Sequence, residues 1–569
     1  MSAIFPTVKI NKNKDGSTRA YLYLVRSTYD KETRSYKQEY IASLGRIDNS
    51  DASALVDSLI LKLSEFANKI KVFNIEEGID TDESKIYGEI QIFRKLWKDL
   101  GLEKVLRKYF SKTNKQVDLV EAIFTMVCNR LIAPSSERAI NEWKKDVYEP
   151  RWEFLELHHF YRALDFLIEN KEELELNFYK ATRNLFNYKV DIVMFDTTTV
   201  SYWGEGEEAE ELLKYGYAKN KRNDLKQLVI GIIMDQNGYP IGHEVWEGNK
   251  SDKPAFKEVI DKVKKKYEIG KVILVADRGM VSEENIRYLE DNGYEYILGV
   301  KMRQLNKTKK EILLQEEGFS RIGKTVLKAK ELRGYELLEK EKALKGEEIK
   351  EEEREEYIRS NIGKRRWIVC LNEEVEEMDK EKREYFRKII EDKIEFSTAK
   401  EWIIRNGYKK YVKIEDMKIR LDEEKLSEDE LYDGKWVLVT NSSLSIPEVI
   451  EGYKGLSKIE RHFRELKDEI EVGPIYHYVE RRIRAHIFVS FIALQMKVAL
   501  TKKLKEIDEE ASYSEVIKDL RKLRAVEILV DNKRLITRTN LKGKAELAFR
   551  AVKLSIPPKV LEVRDINQG

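Results

Sequence analysis

Three acidic residues, far apart in a chain of 569, stand where carboxylates can do chemistry. Asp196 closes the apolar run Val190-Asp-Ile-Val-Met-Phe-Asp196, and Asp277 closes Lys271-Val-Ile-Leu-Val-Ala-Asp277. Either could be a helix cap or a turn residue. Carboxylates are rarely buried unless paired or bound to metal, so an acid ending a buried strand calls for a partner. Glu460 lies in Tyr453-Lys-Gly-Leu456-Ser-Lys-Ile459-Glu460-Arg461-His-Phe463-Arg464-Glu-Leu466-Lys467. There Tyr453, Leu456, Ile459, Phe463, Leu466 and Ile470 recur at steps of three and four, which predicts one amphipathic helix. Glu460, Arg464 and Lys467 share a neighbouring face, which on an isolated helix would be a solvated ion-paired surface. Two strand-end aspartates and one helix glutamate, brought together, can hold two divalent ions that prefer oxygen ligands, Mg²⁺ or Mn²⁺. Two such ions about 4 Å apart activate a water or hydroxyl and stabilise the leaving oxygen in phosphodiester displacement.

The elements that must position these acids are legible around them. Residues 228–234 and 239–246 flank Asp235-Gln-Asn-Gly238, a strong hairpin signal. Ser251-Asp-Lys-Pro254 opens a helix, Ser282 caps another, and Gly293 ends it before a strand over 294–300. The order is strand, hairpin, helix, strand, helix, strand. That predicts an α/β fold, a ribonuclease-H-like mixed sheet as catalytic core, formed by residues 187–301 and 446–500.

Around this core the chain divides further. Residues 1–50 read as a small β-unit. Between Lys9 and Arg46 there are nine basic and four acidic residues, a balance suited to contacting DNA. Residues 51–186 read as helical, with a helix at 51–70 and a strongly buried one ending before Pro134; His158 and His159 read as packing or surface residues. Residues 302–445 read as an inserted subdomain with its own strands, because 183 residues separate Asp277 from Glu460 (460 − 277), far more than one crossover needs. Residues 501–569 read as a basic helical tail, with nine basic and three acidic residues from Lys518 to Lys544. The apolar run at 487–500 contains Gln495 and Lys497 and reads as a core helix, not a membrane span. Net charge is only +2, so polyanion binding must come from local patches. Two distant cysteines and no signal-peptide pattern point to the cytoplasm, with no membrane association.

Several stretches also resemble DDE-type insertion-sequence transposases of the bacterial superfamily marked by a Tyr-Arg-Glu-Lys signature. They are Phe195-Asp196-Thr-Thr-Thr, Asp224-Leu-Lys-Gln227, Gly248-Asn-Lys-Ser-Asp252, Ala276-Asp277-Arg-Gly-Met280 and residues 453–467. Tyr453, Glu460 and Lys467 match the signature spacing, whereas its arginine position holds Leu456. The resemblance implies that Asp196, Asp277 and Glu460 are the catalytic, metal-binding triad. It implies that Tyr453 and Lys467 contact DNA phosphate, with Arg461 or Arg464 substituting for the missing arginine. It further implies that Trp436, on a strand before the signature helix, holds a flipped base; a tryptophan on a strand is otherwise core.

The resulting expectation is a metal-dependent transposase that cuts and joins DNA at the inverted-repeat ends of its element and at a target, as a homodimer on paired ends. The alternatives are a decayed or repurposed DNA-binding protein that keeps the fold, and a metal-dependent nuclease that cuts without joining. The presence of all three acids favours the enzyme.

Overall fold

Alternating side chains at the N-terminus form three antiparallel strands, β1 (Ala3–Lys12), β2 (Thr18–Asp30) and β3 (Ser35–Arg46), which make a sheet of their own. Gly16 takes positive φ in the turn between β1 and β2, where no Cβ must be accommodated. The computed structural model describes residues 3–30, 35–48, 52–65, 80–112, 117–186, 192–204, 207–217, 222–267, 273–393, 411–415, 418–530 and 533–565. Helix α1 (Ala52–Glu65) and strand β4 (Asp80–Ile86) follow. The ends of the helix expected at 51–70, and the first two residues of the strands expected from Val190 and Lys271, lie outside the described residues.

The chain divides into two compact units, one of residues 1–85, 524–540 and 557–569, the other of residues 86–523 and 541–556. The larger unit opens with helices α2 (Gly88–Asp99), α3 (Leu102–Phe110), α4 (Leu119–Ile132), α5 (Glu137–Trp143), α6 (Leu157–Glu169) and α7 (Lys171–Phe186). Asp118 caps α4 by accepting from the Val120 and Glu121 amides, and Ser136 caps α5. Helix α4 is buried along its whole length. Its one acid, Glu121, is paired with Arg94 at 2.7 Å, and the guanidinium also lies 3.8 Å from the Phe124 ring. Partnered on both sides, this charge is tolerable in a core.

The sheet begins with β5 (Ile192–Ser201), β6 (Gln227–Asp235) and β7 (Pro240–Glu247), then α8 (Asp252–Tyr267), β8 (Ile273–Ala276), α9 (Glu283–Asp291) and β9 (Glu295–Gly299). Residues 302–445 follow with α10 (Lys307–Leu314), β10 (Ser320–Arg321), β11 (Leu327–Arg333), α11 (Gly334–Lys345), α12 (Glu351–Arg359), α13 (Asn361–Lys364), β12 (Arg366–Asn372), α14 (Glu373–Lys393), β13 (Val412–Glu415), β14 (Lys418–Leu421), α15 (Glu423–Glu430) and β15 (Lys435–Thr440). The nine-stranded sheet runs β10-β11-β12-β15-β9-β8-β5-β6-β7. It is parallel at β5–β8 and β8–β9 and antiparallel elsewhere. The protein is therefore mixed α/β with one large mixed sheet. Among the described residues, four strands from 302–445 extend this sheet rather than forming a separate one, and the β13–β14 hairpin stands apart.

Two local expectations change. Strand β5 does not stop at Asp196. Its β-branched continuation through Thr197, Thr198, Thr199 and Val200 keeps pairing with β6 up to Ser201–Gln227. The helix expected over 453–467 is three pieces: α16 (Ile446–Lys454), α17 (Leu456–Arg464) and a π-helical turn at Glu465–Glu469. The break falls at Gly455, and the apolar stripe survives it, with Leu456, Ile459, Phe463, Leu466 and Ile470 all buried.

Helix α18 (Glu480–Lys505) runs 26 residues and packs against α4, α6 and β7. Its length and composition would suffice to cross a membrane, but 89% of its apolar window is buried inside the protein. Helix α19 (Tyr513–Leu520) follows. The tail departs from a basic helical one. Strands β16 (Arg524–Val530) and β17 (Lys533–Arg538), helix α20 (Ala545–Ala551) and strand β18 (Val560–Asp565) complete the chain, and a sheet of order β18-β17-β16-β4 results. Arg524, the one basic residue of β16, donates to the Ser84 carbonyl of β4 at 2.6 Å.

Phe488 of α18 is fully buried, with ring centroids 6.3 Å from Phe178 and 5.2 Å from His243. Phe488→Ala is expected to cost about 3–5 kcal/mol, read as a lower urea midpoint with unchanged m.

Candidate active site

Strand pairing places the two aspartates side by side. β5 and β8 are parallel neighbours, with Phe195 opposite Ala276, so the next residues, Asp196 and Asp277, fall at the same level. Neighbouring strands lie roughly 4.8 Å apart, so both carboxyl groups leave one edge of the site. Asp277 follows the last residue of β8, at the carboxyl end of a parallel strand, whereas Asp196 is mid-strand beside it.

Alternation along β5 shows which face Asp196 uses. Ile192, Met194, Asp196 and Thr198 share one side of the sheet. A Cβ on Gly452 would lie 3.8 Å from Ile192, and one on Gly455 would lie 2.6 Å from the Met194 sulfur. Further along, Lys467 donates to Thr198 Oγ1 at 2.7 Å. Thus α16, α17 and the π turn lie along this face of β5, and Glu460 is carried between the Gly455 and Lys467 contacts. The opposite face holds Phe195 against Phe256 of α8, and Thr197 donates to Asp252 at 2.5 Å. Downstream of Glu460 the helix is pinned. His462 is 2.7 Å from the Gly238 carbonyl and 2.9 Å from Glu465. Burial works to raise the Glu465 carboxyl, but the His462 hydrogen bond and the charges of Lys497 and Arg461 outweigh it and hold it at about 2.

Tyr453 joins helix to strand. Its hydroxyl donates to Asp277 Oδ1 at 3.0 Å. Burial first, then the Asp277 and Glu460 charges, push its ionisation far above the ordinary phenol range. The approach requires Gly299, where an added Cβ would lie 2.2 Å from the Tyr453 hydroxyl. A cleft of about 550 Å³ opens here, and Asp277, Glu460, Tyr453 and Trp436 all line it. Trp436 is half-buried on β15, paired opposite Cys370.

Among the sequence-derived residues, Asp277, Glu460, Tyr453 and Trp436 therefore share one cleft, with Asp196 level with Asp277 and Lys467 two residues along β5. Arg461 and Arg464 are exposed on α17, and Arg461 pairs with Glu465 at 3.2 Å. Leu456, at the signature's arginine position, is buried, which leaves no room for a cation there. Sequence reasoning missed the basic cleft wall of Arg278, Lys301, Arg303 and Lys435. Arg278 was readable from its place beside Asp277. Lys301 and Arg303 are brought there by the parallel pairing of β9 with β8, and Lys435 by the pairing of β15 with β9.

The family model for the transposase DDE domain matches residues 188–496. The chain belongs to the DDE transposases. A second model, the N-terminal domain of IS1634 family transposases, matches residues 7–77, which makes this an insertion-sequence enzyme that cleaves and joins DNA. No curated protein matches. Two solved structures are similar. One is a piggyBac transposase synaptic complex with hairpin DNA, at 8% identity, 77% of this chain, 80% of that one and TM-score 0.35. The other is a Mos1 transposase paired-end complex, at 13% identity, 44% of this chain, 68% of that one and TM-score 0.14. Scores of this size carry no argument about the fold. DDE transposases as a family depend on divalent metal, and the oxygen-only donors of Asp196, Asp277 and Glu460 suit such ions.

In this transposase Gly299→Ala should drive the Tyr453 ring away from Asp277. We expect a stability loss of about 1–3 kcal/mol and slower DNA cleavage. Tyr453→Phe in the same chain removes the closest clashing atom but keeps the ring carbons at 2.9 and 3.0 Å, so the double variant should recover part of the stability but not cleavage; thermal melts and a strand-cleavage assay on all three variants check this.

Proposed function

We propose that Asp196, Asp277 and Glu460 are the catalytic triad with which this transposase cuts and joins DNA at the ends of its element, on a ribonuclease-H-like core. The observation that carries the reading is the matched level of Asp196 and Asp277 on neighbouring parallel strands, beneath the helix that bears Glu460. Two Mg²⁺ or Mn²⁺ ions held there would supply the activated nucleophile and the charge to stabilise the leaving oxygen. The chain's own groups do the rest. Tyr453, kept protonated, orients the Asp277 carboxylate through its hydrogen bond. Lys467, beside Asp196, and the exposed Arg461 and Arg464 offer cations to the DNA backbone. Arg278, Lys301 and Lys435 do the same from the cleft wall. Trp436 offers an aromatic face on which an extruded base could stack. Joining two ends calls for two such sites, so the working form is a homodimer on paired inverted repeats.

The test is Asp277→Asn. It removes ligand charge without touching the basic contacts, so Mg²⁺- or Mn²⁺-dependent cleavage of an element end should be abolished while end binding persists. Cleavage at the wild-type rate would refute the assignment.

We further propose that the β1–β3 sheet supplies part of the end-specific binding. The metal site meets only backbone, so sequence must be read elsewhere. This sheet is made of β1, β2 and β3 alone, so a chain lacking residues 1–46 loses it whole without cutting the β18-β17-β16-β4 sheet. That chain should lose its preference for the element end over unrelated DNA. Its affinity should fall less steeply with salt, the log–log slope shrinking by about 0.9 for each phosphate no longer neutralised. Retained preference would place recognition elsewhere.

A further inference from the structure

Away from the cleft, three side chains from distant parts of the chain meet in the interior of the larger unit. Glu137 opens α5, His477 lies in the segment leading into α18, and His486 lies in the second turn of that helix. They are 4%, 5% and 1% exposed. One ligand atom from each lies within 4.8 Å of the other two. The carboxylate turns one oxygen to each ring: Oε2 is 3.0 Å from His477 Nε2, and Oε1 is 3.8 Å from His486 Nδ1.

The hydrogen bonding around these rings leaves the centre short of a positive group. His486 Nε2 lies 3.0 Å from the Val472 carbonyl. A carbonyl only accepts, so Nε2 carries a ring proton and Nδ1 is left facing the carboxylate. His477 Nε2 is buried and makes no well-directed hydrogen bond, although Oε2 is 3.0 Å away. Arg130 approaches, but it donates to the carbonyls of Ser135 at 2.6 Å and Glu471 at 3.0 Å. A buried ring nitrogen without a hydrogen bond beside a buried carboxylate is costly unless a cation lies between them.

We propose that Glu137, His477 and His486 form a Zn²⁺ site, with one Glu137 oxygen and one nitrogen from each histidine as its protein donors and a water as the fourth. Donors about 2 Å from a tetrahedral Zn²⁺ lie roughly 3.3 Å apart, close to the 3.0 Å between Glu137 Oε2 and His477 Nε2. His486 donating its other nitrogen to a carbonyl is the usual arrangement of a metal-bound imidazole. The nitrogen donors separate this site from the oxygen-only triad. Zinc here staples the segment after the signature helices to the helical layer.

The full-length protein, stripped with a chelator, is titrated with Co²⁺ alone and then with Zn²⁺. We expect one equivalent of Co²⁺ with the intense visible absorption of tetrahedral coordination, displaced by one equivalent of Zn²⁺ but not by excess Mg²⁺. Zn²⁺ should raise the thermal midpoint. Asp277→Asn should leave the stoichiometry at one, whereas Glu137→Gln and His486→Asn should abolish it. Absence of stoichiometric Co²⁺ and Zn²⁺ binding by the wild-type chain, which needs no variant to fold, would overturn the proposal. So would unchanged tetrahedral absorption in both variants.

Discussion

Two carboxylates at one level of adjacent parallel strands repel each other, and most of the surrounding architecture answers that repulsion. In a low-dielectric interior the pair would be intolerable, but both aspartates are only partly buried. Tyr453 gives Asp277 a hydrogen bond, and Lys467 brings a cation beside Asp196. Both groups come from the helices that carry Glu460. Those helices can lie on β5 only because Gly452 and Gly455 let the backbone approach Ile192, Ile297 and Met194. The site thus depends on a close helix-on-strand contact more than on any single ion pair.

The sheet explains the rest of the cleft. Strand β15, far along the chain from β9, pairs with it through Leu438–Gly299. That pairing sets Trp436 and Lys435 beside the Asp277 loop, and it puts Gly299 where the Tyr453 hydroxyl needs space. An insertion that formed its own sheet could not do this. By adding its strands to the core sheet, it becomes one wall of the site. The signature helices are held at their far end as well. His462 bridges the Gly238 carbonyl of the β6–β7 turn and Glu465, so the Asp235-Gln-Asn-Gly238 hairpin also helps to position Glu460.

Much of this was readable from residue order. The Asn-Gly turn, the two apolar runs ending in aspartate and the three-four spacing of the signature stretch are local signals, set by backbone preference and side-chain periodicity, and the structure keeps them. The tail was misread because the basic residues of 518–544 were read as the face of a helix, although β16 itself carries only Arg524. The single signature helix was misread because Gly455 interrupts the helix without interrupting its apolar stripe. Sequence alone therefore determined which residues could do chemistry and on which kinds of element they ride. Only the tertiary structure decided that Asp196 and Asp277 stand level, that 302–445 walls the cleft, and that Glu137 meets His477 and His486. Those facts rest on strand register and on contacts between segments hundreds of residues apart, and local periodicity carries no information about either.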